Sequence, residues 1–277
     1  EPKIELRITT NKIIDSAGHL LGFVKLVHDR TREIEILRSK SEFITVAAHQ
    51  LRTPSTAVQW ALDSLSKESL TPDQKELADT GLNAATNLLK VINDLLDVSK
   101  IEEGRFGYQF ENVNIINFLE EVLGELMPLA KQAGIKLYFQ KPTEPSIITS
   151  IDPQKLKIVL FNLVDNAIKY NVPSGEIIVG LERVKDQPYI QISVKDSGIG
   201  VPPAQINKLF TKFFRAENVV KVDPSGLGLG LYIVRNVVKR HGGGIWAESE
   251  INRGTTFYFT IPTDPKLIPP KEIVYSE

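Results

Sequence analysis

From Thr31 onward, apolar or small side chains recur at Ile34, Leu37, Ser41, Ile44, Ala48, Leu51, Ser55, Val58, Leu62 and Leu65. The steps alternate between three and four, which is a heptad seam on one long helix. This pattern constrains the fold most, because a helix with an apolar stripe gains its stability by packing that stripe on something. Ser66–Thr71 breaks the period, and Pro72 suits the first turn of a second helix. That helix carries Leu77, Gly81, Ala84, Leu88, Val91, Leu95 and Val98 on one seam, and Leu82, Ala85, Leu89, Ile92 and Leu96 on a neighbouring stripe. A two-helix hairpin uses one of these stripes. The simplest partner for the other is a second copy of the hairpin, giving a homodimeric four-helix bundle. The alternative is that it packs on the chain's own C-terminal half.

On either side of the hairpin the pattern changes. In 1–30, Ile4, Leu6 and Ile8 alternate with polar residues, Asp15–His19 supplies turn chemistry, and Leu21–Val27 returns as a second strand. A hairpin of this size is marginal alone, so it is expected to belong to a larger sheet or to pack on a partner. After Gly104, strands and helices alternate. Phe106–Phe110, Lys136–Gln140, Glu176–Leu181, Tyr189–Lys195, Gly244–Ser249 and Thr255–Ile261 read as strands; Ile115–Gln132, Pro153–Tyr170 and Leu229–Arg240 read as helices. The expected fold class is α+β and multidomain. It has a β-hairpin remnant (1–30), a helical hairpin (31–103), an α/β sandwich (104–263) and a loose or draped proline-rich tail (264–277).

Composition narrows the chemistry. A net charge of −1 over 277 residues indicates no bulk attraction to nucleic acid or membrane. The absence of cysteine removes disulfides and thiolate metal sites, and is compatible with a cytoplasmic setting. The four histidines, His19, His28, His49 and His241, show no zinc-ligand spacing. No apolar run reaches the ~18 residues of a membrane span, and no signal peptide opens the segment. The segment reads as soluble, with any membrane anchor of a parent protein lying upstream.

Two sets of residues carry chemistry. His49 directly follows the seam residue Ala48, so it should face solvent on the helix, with Arg52 and Thr53 one turn on along the same face. A cation and a hydroxyl beside an imidazole suit a transient phosphoryl group. Pro54 cannot donate to the carbonyl of Gln50, a local cost of about 3 kcal/mol that suits a functional position. Downstream, Asn162 and Asn166 share a helical face with Lys169. Carboxamide oxygens suit a hard Mg²⁺ that keeps waters and phosphate oxygens, and the lysine supplies phosphate charge. Asp196-Ser197-Gly198-Ile199-Gly200 closes a β run with a carboxylate able to accept from an exocyclic amine. Gly226-Leu227-Gly228-Leu229-Gly230 opens a helix whose first amides can bind phosphate. A P-loop and a Rossmann fingerprint are both absent.

His49-Gln50-Leu51-Arg52-Thr53-Pro54 resembles the H-box of sensor histidine kinases. Asn162–Tyr170 resembles the N-box, Asp196–Gly200, Gly226–Gly230 and Gly254–Phe257 the glycine-rich boxes, and Phe210–Arg215 the F-box of the ATP-binding fold shared by histidine kinases, Hsp90, gyrase and MutL, the GHKL or Bergerat fold. The resemblance covers about Arg38–Thr263 and implies ATP and Mg²⁺ as cofactors. It implies that His49 attacks the γ-phosphate and that Thr53 assists hydrolysis of the phosphorylated partner. It further implies that Asn166 binds Mg²⁺ with Asn162 nearby, that Asp196 recognises adenine and that Tyr170 lines the base pocket. Lys169 and Arg215 contact phosphates. Phe213, Gly198, Gly200, Gly226, Gly228, Gly230, Leu231 and Thr255 complete the nucleotide site, with Thr211–Leu227 as a flexible lid. The phosphoryl group would pass to an aspartate on a response regulator receiver domain. The hairpin 1–30 with Asp29-Arg30-Thr31 resembles the end of a PAS sensor domain.

One position departs from the family. An acidic residue usually follows the histidine and serves as base; here Gln50 can accept a hydrogen bond but takes no proton. Autophosphorylation is therefore expected to be slower than with an acidic residue there. Two other functions are open: an ATPase of the Hsp90 or MutL kind, and a degenerate kinase acting as a dimeric adaptor. The signal is expected to enter through Thr31–Phe43, with the small residues Ser41, Ala48 and Ser55 leaving the coil loosely packed.

Overall fold

The computed structural model describes residues 4–223 and 226–270. An antiparallel pair, β1 (Leu6–Ile14) and β2 (Leu20–Asp29), leads into α1 (Thr31–Ser66) and α2 (Pro72–Glu102). Thr71 opens α2 with a capping box: its hydroxyl accepts from Gln74 N–H and its own N–H donates to the Gln74 side chain, with Pro72 in the first turn. Gly104, at φ +65°, closes α2, and Arg105 N–H returns to Lys100 O at 2.8 Å.

The two helices meet through small side chains. Ser41, Ala48 and Ser55 of α1 and Ala78, Ala85, Ile92, Leu96 and Ser99 of α2 are buried, and the Ser41 and Ser99 hydroxyls bond at 2.7 Å. Gln59 donates to Thr86 and Arg52 to Asn93 further along. The expectation of a loose coil is corrected here. The small residues are the tight interior of the hairpin, where short side chains let the helix axes approach closely. Ser41→Leu should therefore overpack the contact and cost about 1–3 kcal/mol. A urea midpoint equal to the parent chain's would contradict that packing.

The two apolar stripes of α2 have different fates. Ala85, Ile92 and Leu96 face α1, whereas Leu95, Val98 and Ile101 pack into the core of the C-terminal domain. Toward the tip of the hairpin Leu77 and Leu88 stay exposed, as do Leu51, Val58 and Leu65 of α1. Packing on the chain's own C-terminal half thus accounts for the lower end of the surplus face, and its upper end is exposed.

The C-terminal domain is built on a five-stranded mixed sheet of order β4 (Lys136–Gln140), β6 (Glu176–Arg183), β7 (Tyr189–Asp196), β9 (Gly254–Pro262) and β8 (Ile245–Glu250). Only β4 and β6 run parallel. The alternating buried residues of β6 (Ile177, Val179, Leu181), β7 (Ile190, Ile192, Val194) and β9 (Phe257, Phe259, Ile261) share one core with three helices: α3 (Ile115–Gln132), α4 (Pro153–Lys169) and α6 (Gly230–Arg240). A second pair, β3 (Glu111–Asn114) and β5 (Ile148–Ile151), lies beside it.

Phe106–Phe110 is not the strand its alternation predicts. The rings are packing anchors instead. Phe106 is buried under the Lys155 ammonium, 3.8 Å from its centroid, and Tyr108 and Phe110 sit against the His241 ring. Strand pairing starts only at Glu111. Its partner β5 escapes the sequence reading because four residues between Pro145 and Pro153 are too few to show a period. His241 is fully buried; its Nε2 accepts the Asp152 N–H and its Nδ1 donates to Val237 O, so burial lowers its pKa and holds it neutral. The start of the tail is draped rather than loose, with Arg240 donating to Pro269 O at 2.6 Å; 271–277 lie outside the described residues. Among the described residues no helix is long and apolar enough to cross a membrane.

Candidate functional site

His49 stands on the exposed side of α1, and its carbonyl accepts the Thr53 hydroxyl at 3.4 Å. Gln50 and Thr53 are also exposed. Arg52 does not flank the imidazole as its spacing predicts: its guanidinium reaches across to Asn93 Oδ1 on α2 at 2.7 Å. The acceptor face therefore carries an imidazole, a carboxamide and a hydroxyl.

A cavity of about 1140 Å³, counting the space open to solvent, lies between α2, α4, the end of β7 and the start of α6. Asn162, Asn166, Lys169, Tyr170, Asp196, Gly200, Arg215, Gly226, Gly228, Gly230, Leu231 and Thr255 all line it. Residues as far apart in sequence as Asn162 and Thr255 are thus brought to one set of walls.

Asp196 sits at the deep end. Its Oδ1 accepts from Gly198 N–H at 2.8 Å and Thr255 N–H at 3.1 Å. Burial raises its pKa to about 6, against the two backbone N–H groups, which pull it down. Gly198 does not itself line the cavity; a side chain there would strike the Tyr170 carbonyl, so the glycine lets the turn close over α4. At the other end, Asn162 Nδ2 donates to Ile158 O, and its Oδ1 lies against Gly230, where no Cβ fits. Lys169 Nζ pairs with Asp165 Oδ2 at 3.0 Å. Burial pushes the Asp165 carboxyl up, but Lys90 and Lys169 outweigh it and hold the pKa below the usual carboxylate range.

The segment after the F-box-like residues corrects one assignment. Phe213 has φ +60° and is 63% exposed, and it is Phe214 that lines the cavity. The left-handed backbone at Phe213 turns its ring outward and the next ring inward. Arg215 is engaged with the same segment, donating to Gly226 O at 2.9 Å and to Asp223 O. The short helix α5 (Glu217–Val222) lies inside the expected lid, tied to the Asp196 loop by Asn218 donating to Gly200 O at 2.7 Å. Residues 224–225 of that lid lie outside the described residues.

Sequence reasoning missed a whole wall. Asn87, Lys90, Val91 and Asp94 of α2 line the cavity, and Lys90 Nζ bonds Asp165 Oδ2 at 2.5 Å. The one available signal was the surplus stripe of α2, at whose edge these residues fall. Burial pushes Asp94 up to about 6 despite the attraction of Lys90.

The family described as His Kinase A (phospho-acceptor) domain matches residues 39–104, and the family described as histidine kinase-, DNA gyrase B- and HSP90-like ATPase matches 151–265. Among solved structures, the catalytic domain of histidine kinase ThkA is 30% identical, with a TM-score of 0.50 over 57% of this chain and 99% of that one. This chain belongs to the histidine kinase family. Full-length ShkA in complex with AMPPNP is 26% identical, with a TM-score of 0.63 over 81% of this chain and 47% of that one. Sensor histidine kinase WalK of Bacillus subtilis (strain 168) is 29% identical over 261 residues, 93% of this chain and 42% of the relative. The chain thus spans less than half the length of that curated relative.

In this histidine kinase chain the titration of Asp196 has a measurable consequence. An ionised carboxylate is the stronger acceptor for an amine N–H; protonation removes its charge and turns one of its oxygens into a donor. With Asp196 as the acceptor for the adenine amine, ATP affinity should stay flat above pH 7 and fall as pH drops through about 6, where the carboxyl takes up a proton. ATP titrations between pH 5 and 8 test this, and a flat profile would contradict it.

Proposed function

We propose that this chain phosphorylates His49 with the γ-phosphate of ATP and passes the phosphoryl group to an aspartate of a response regulator. One observation carries the reading: a cavity in an ATPase fold, lined by the carboxamides, glycines and carboxylate of the nucleotide motifs, takes one of its walls from the very hairpin that bears the exposed His49 imidazole. Asp196 accepts from the adenine amine, Tyr170 and Phe214 flank the base, and Lys169 with the amides of Gly228 and Gly230 meets the phosphates. Asn166 and Asn162 offer carboxamide oxygens, a donor type that fits Mg²⁺ together with phosphate oxygens and water. Magnesium bound there would neutralise phosphate charge and polarise the γ-phosphorus. An imidazole nitrogen of His49 forms the new N–P bond, the bond from the γ-phosphorus to the bridging oxygen breaks, and ADP leaves. Gln50 takes no proton, so the imidazole proton goes to water.

The structure with AMPPNP bound to ShkA, a chain 26% identical, supports a nucleotide in this cavity. The open stripe of Leu51, Val58, Leu65, Leu77 and Leu88 supports a homodimer through the hairpin. Thr53, exposed one turn after His49, is placed to assist hydrolysis of the phosphorylated regulator. Residues 1–30 read as the end of an upstream sensor domain of PAS type, which would work through α1.

Incubation with [γ-³²P]ATP and Mg²⁺ tests the reading. It expects base-stable, acid-labile label on the chain. ATP turnover that survives His49→Ala without label would favour a plain ATPase, and nucleotide binding without label or turnover a dimeric adaptor.

A further inference from the structure

Two lysines from different parts of the fold meet on one carboxylate oxygen. Lys90 of α2 places Nζ 2.5 Å from Asp165 Oδ2, and Lys169 of α4 places Nζ 3.0 Å from the same atom. Asp165 precedes Asn166 and stands one turn from Asn162, and both lysines and both asparagines line the cavity. Of the four α2 residues on this wall, Asn87, Lys90, Val91 and Asp94, Lys90 alone is cationic.

The position of this wall along the hairpin is set by its cross-links. Gln59 meets Thr86, Arg52 meets Asn93, and Ser41 meets Ser99. Residue 49 of α1 therefore stands level with the stretch of α2 around Asp94, one turn from Lys90. Lys90 and the His49 imidazole thus lie about one helical turn apart along the bundle.

We propose that Lys90 is a phosphate ligand of the nucleotide site, supplied by the acceptor hairpin rather than by the ATPase fold. Asp165 is its place-holder when the cavity is empty. A triphosphate offers several anionic oxygens where Asp165 offers two, so it draws both ammoniums from the carboxylate in charge-assisted hydrogen bonds. Lys suits the exchange because its flexible stem can carry a point charge from one anion to the next without moving the helix. The exchange links phosphate occupancy to the seating of the ATPase fold on α2, about one turn from the level of His49. The inference rests on the nucleotide-site reading above and extends it by one residue and one domain.

The test uses the full chain and calorimetric titration with ATP and with adenosine, which has no phosphate. Lys90→Gln should weaken ATP about tenfold, the loss expected for one charged hydrogen bond, and leave adenosine unchanged. Asp165→Asn should tighten ATP, because it frees both lysines, and again leave adenosine unchanged. Lys75→Gln, an exposed change near the start of α2, serves as the control. The proposal is overturned if Lys90→Gln leaves ATP affinity unaltered, or if ATP and adenosine fall together. It is also overturned if Asp165→Asn weakens ATP as Lys90→Gln does, because the ion pair itself would then be the working unit. Failure of the parent chain to bind either ligand would sink the nucleotide-site reading as well. Normal binding without label would sink only the transfer to His49.

Discussion

Replacing His49 with Gln removes ³²P incorporation to background, a drop of at least about 10³-fold, and leaves ATP affinity at the parent value. The first half follows from chemistry, since a carboxamide nitrogen is no nucleophile toward phosphorus and no second histidine lies on the exposed acceptor face of α1. The second half follows from placement. The ring is exposed, only its backbone carbonyl is engaged by Thr53, and the cavity wall is on α2. Stability should stay within about 0.5 kcal/mol for the same reason. Phosphorimaging beside a thermal melt reads both. Residual acid-labile label in the variant would move the acceptor elsewhere.

Asp196→Asn has the next largest effect. The new side chain can keep its oxygen on Gly198 N–H and Thr255 N–H, so the turn survives. What changes is the other position, where the acceptor proposed for the adenine amine becomes an NH₂. Donor against donor leaves two buried polar groups unpaired, and ATP should weaken about 100-fold. Guanine presents a carbonyl oxygen at that edge, so the ratio of GTP to ATP affinity should rise in the same variant. The fall in affinity below pH 6 should vanish too, because no carboxyl remains to titrate. Competition titrations with both nucleotides check all three. Unchanged ATP affinity would remove Asp196 from the base pocket.

The helices were legible in the sequence because each one is long enough to repeat its stripe. Thr31–Ser66 and Ile115–Gln132 end where seam and turn chemistry say they should. The central strands were legible because both β6 and β7 alternate over eight residues. Short elements were not. Four residues of β5 and six of α5 carry too little period to stand out. Aromatic alternation at Phe106–Phe110 misled because rings spaced two apart also pack on one histidine ring. In the site, ordered motifs pointed to residues that the fold gathers around one cavity, since glycines and carboxamides betray close backbone approach and oxygen donors. Phe213 and Phe214 could not be told apart, because a single φ decides which ring turns in. Lys90 was invisible for a different reason: it is a surface lysine of another domain, and only the docking of the two folds makes it part of a site.

The last turns of α2 deserve a mechanical reading. Val98 and Phe106 belong to the same core as the sheet, and Leu95 and Ile101 pack on it. The glycine turn at 104 looks like a joint but is clamped on both sides. On the proposed function the ATPase fold must pivot toward the imidazole, and this packing would carry the foot of the helix with it. The bend would then fall higher up the rod, upstream of Leu95, which would make α2 itself the lever between the coil and the cavity.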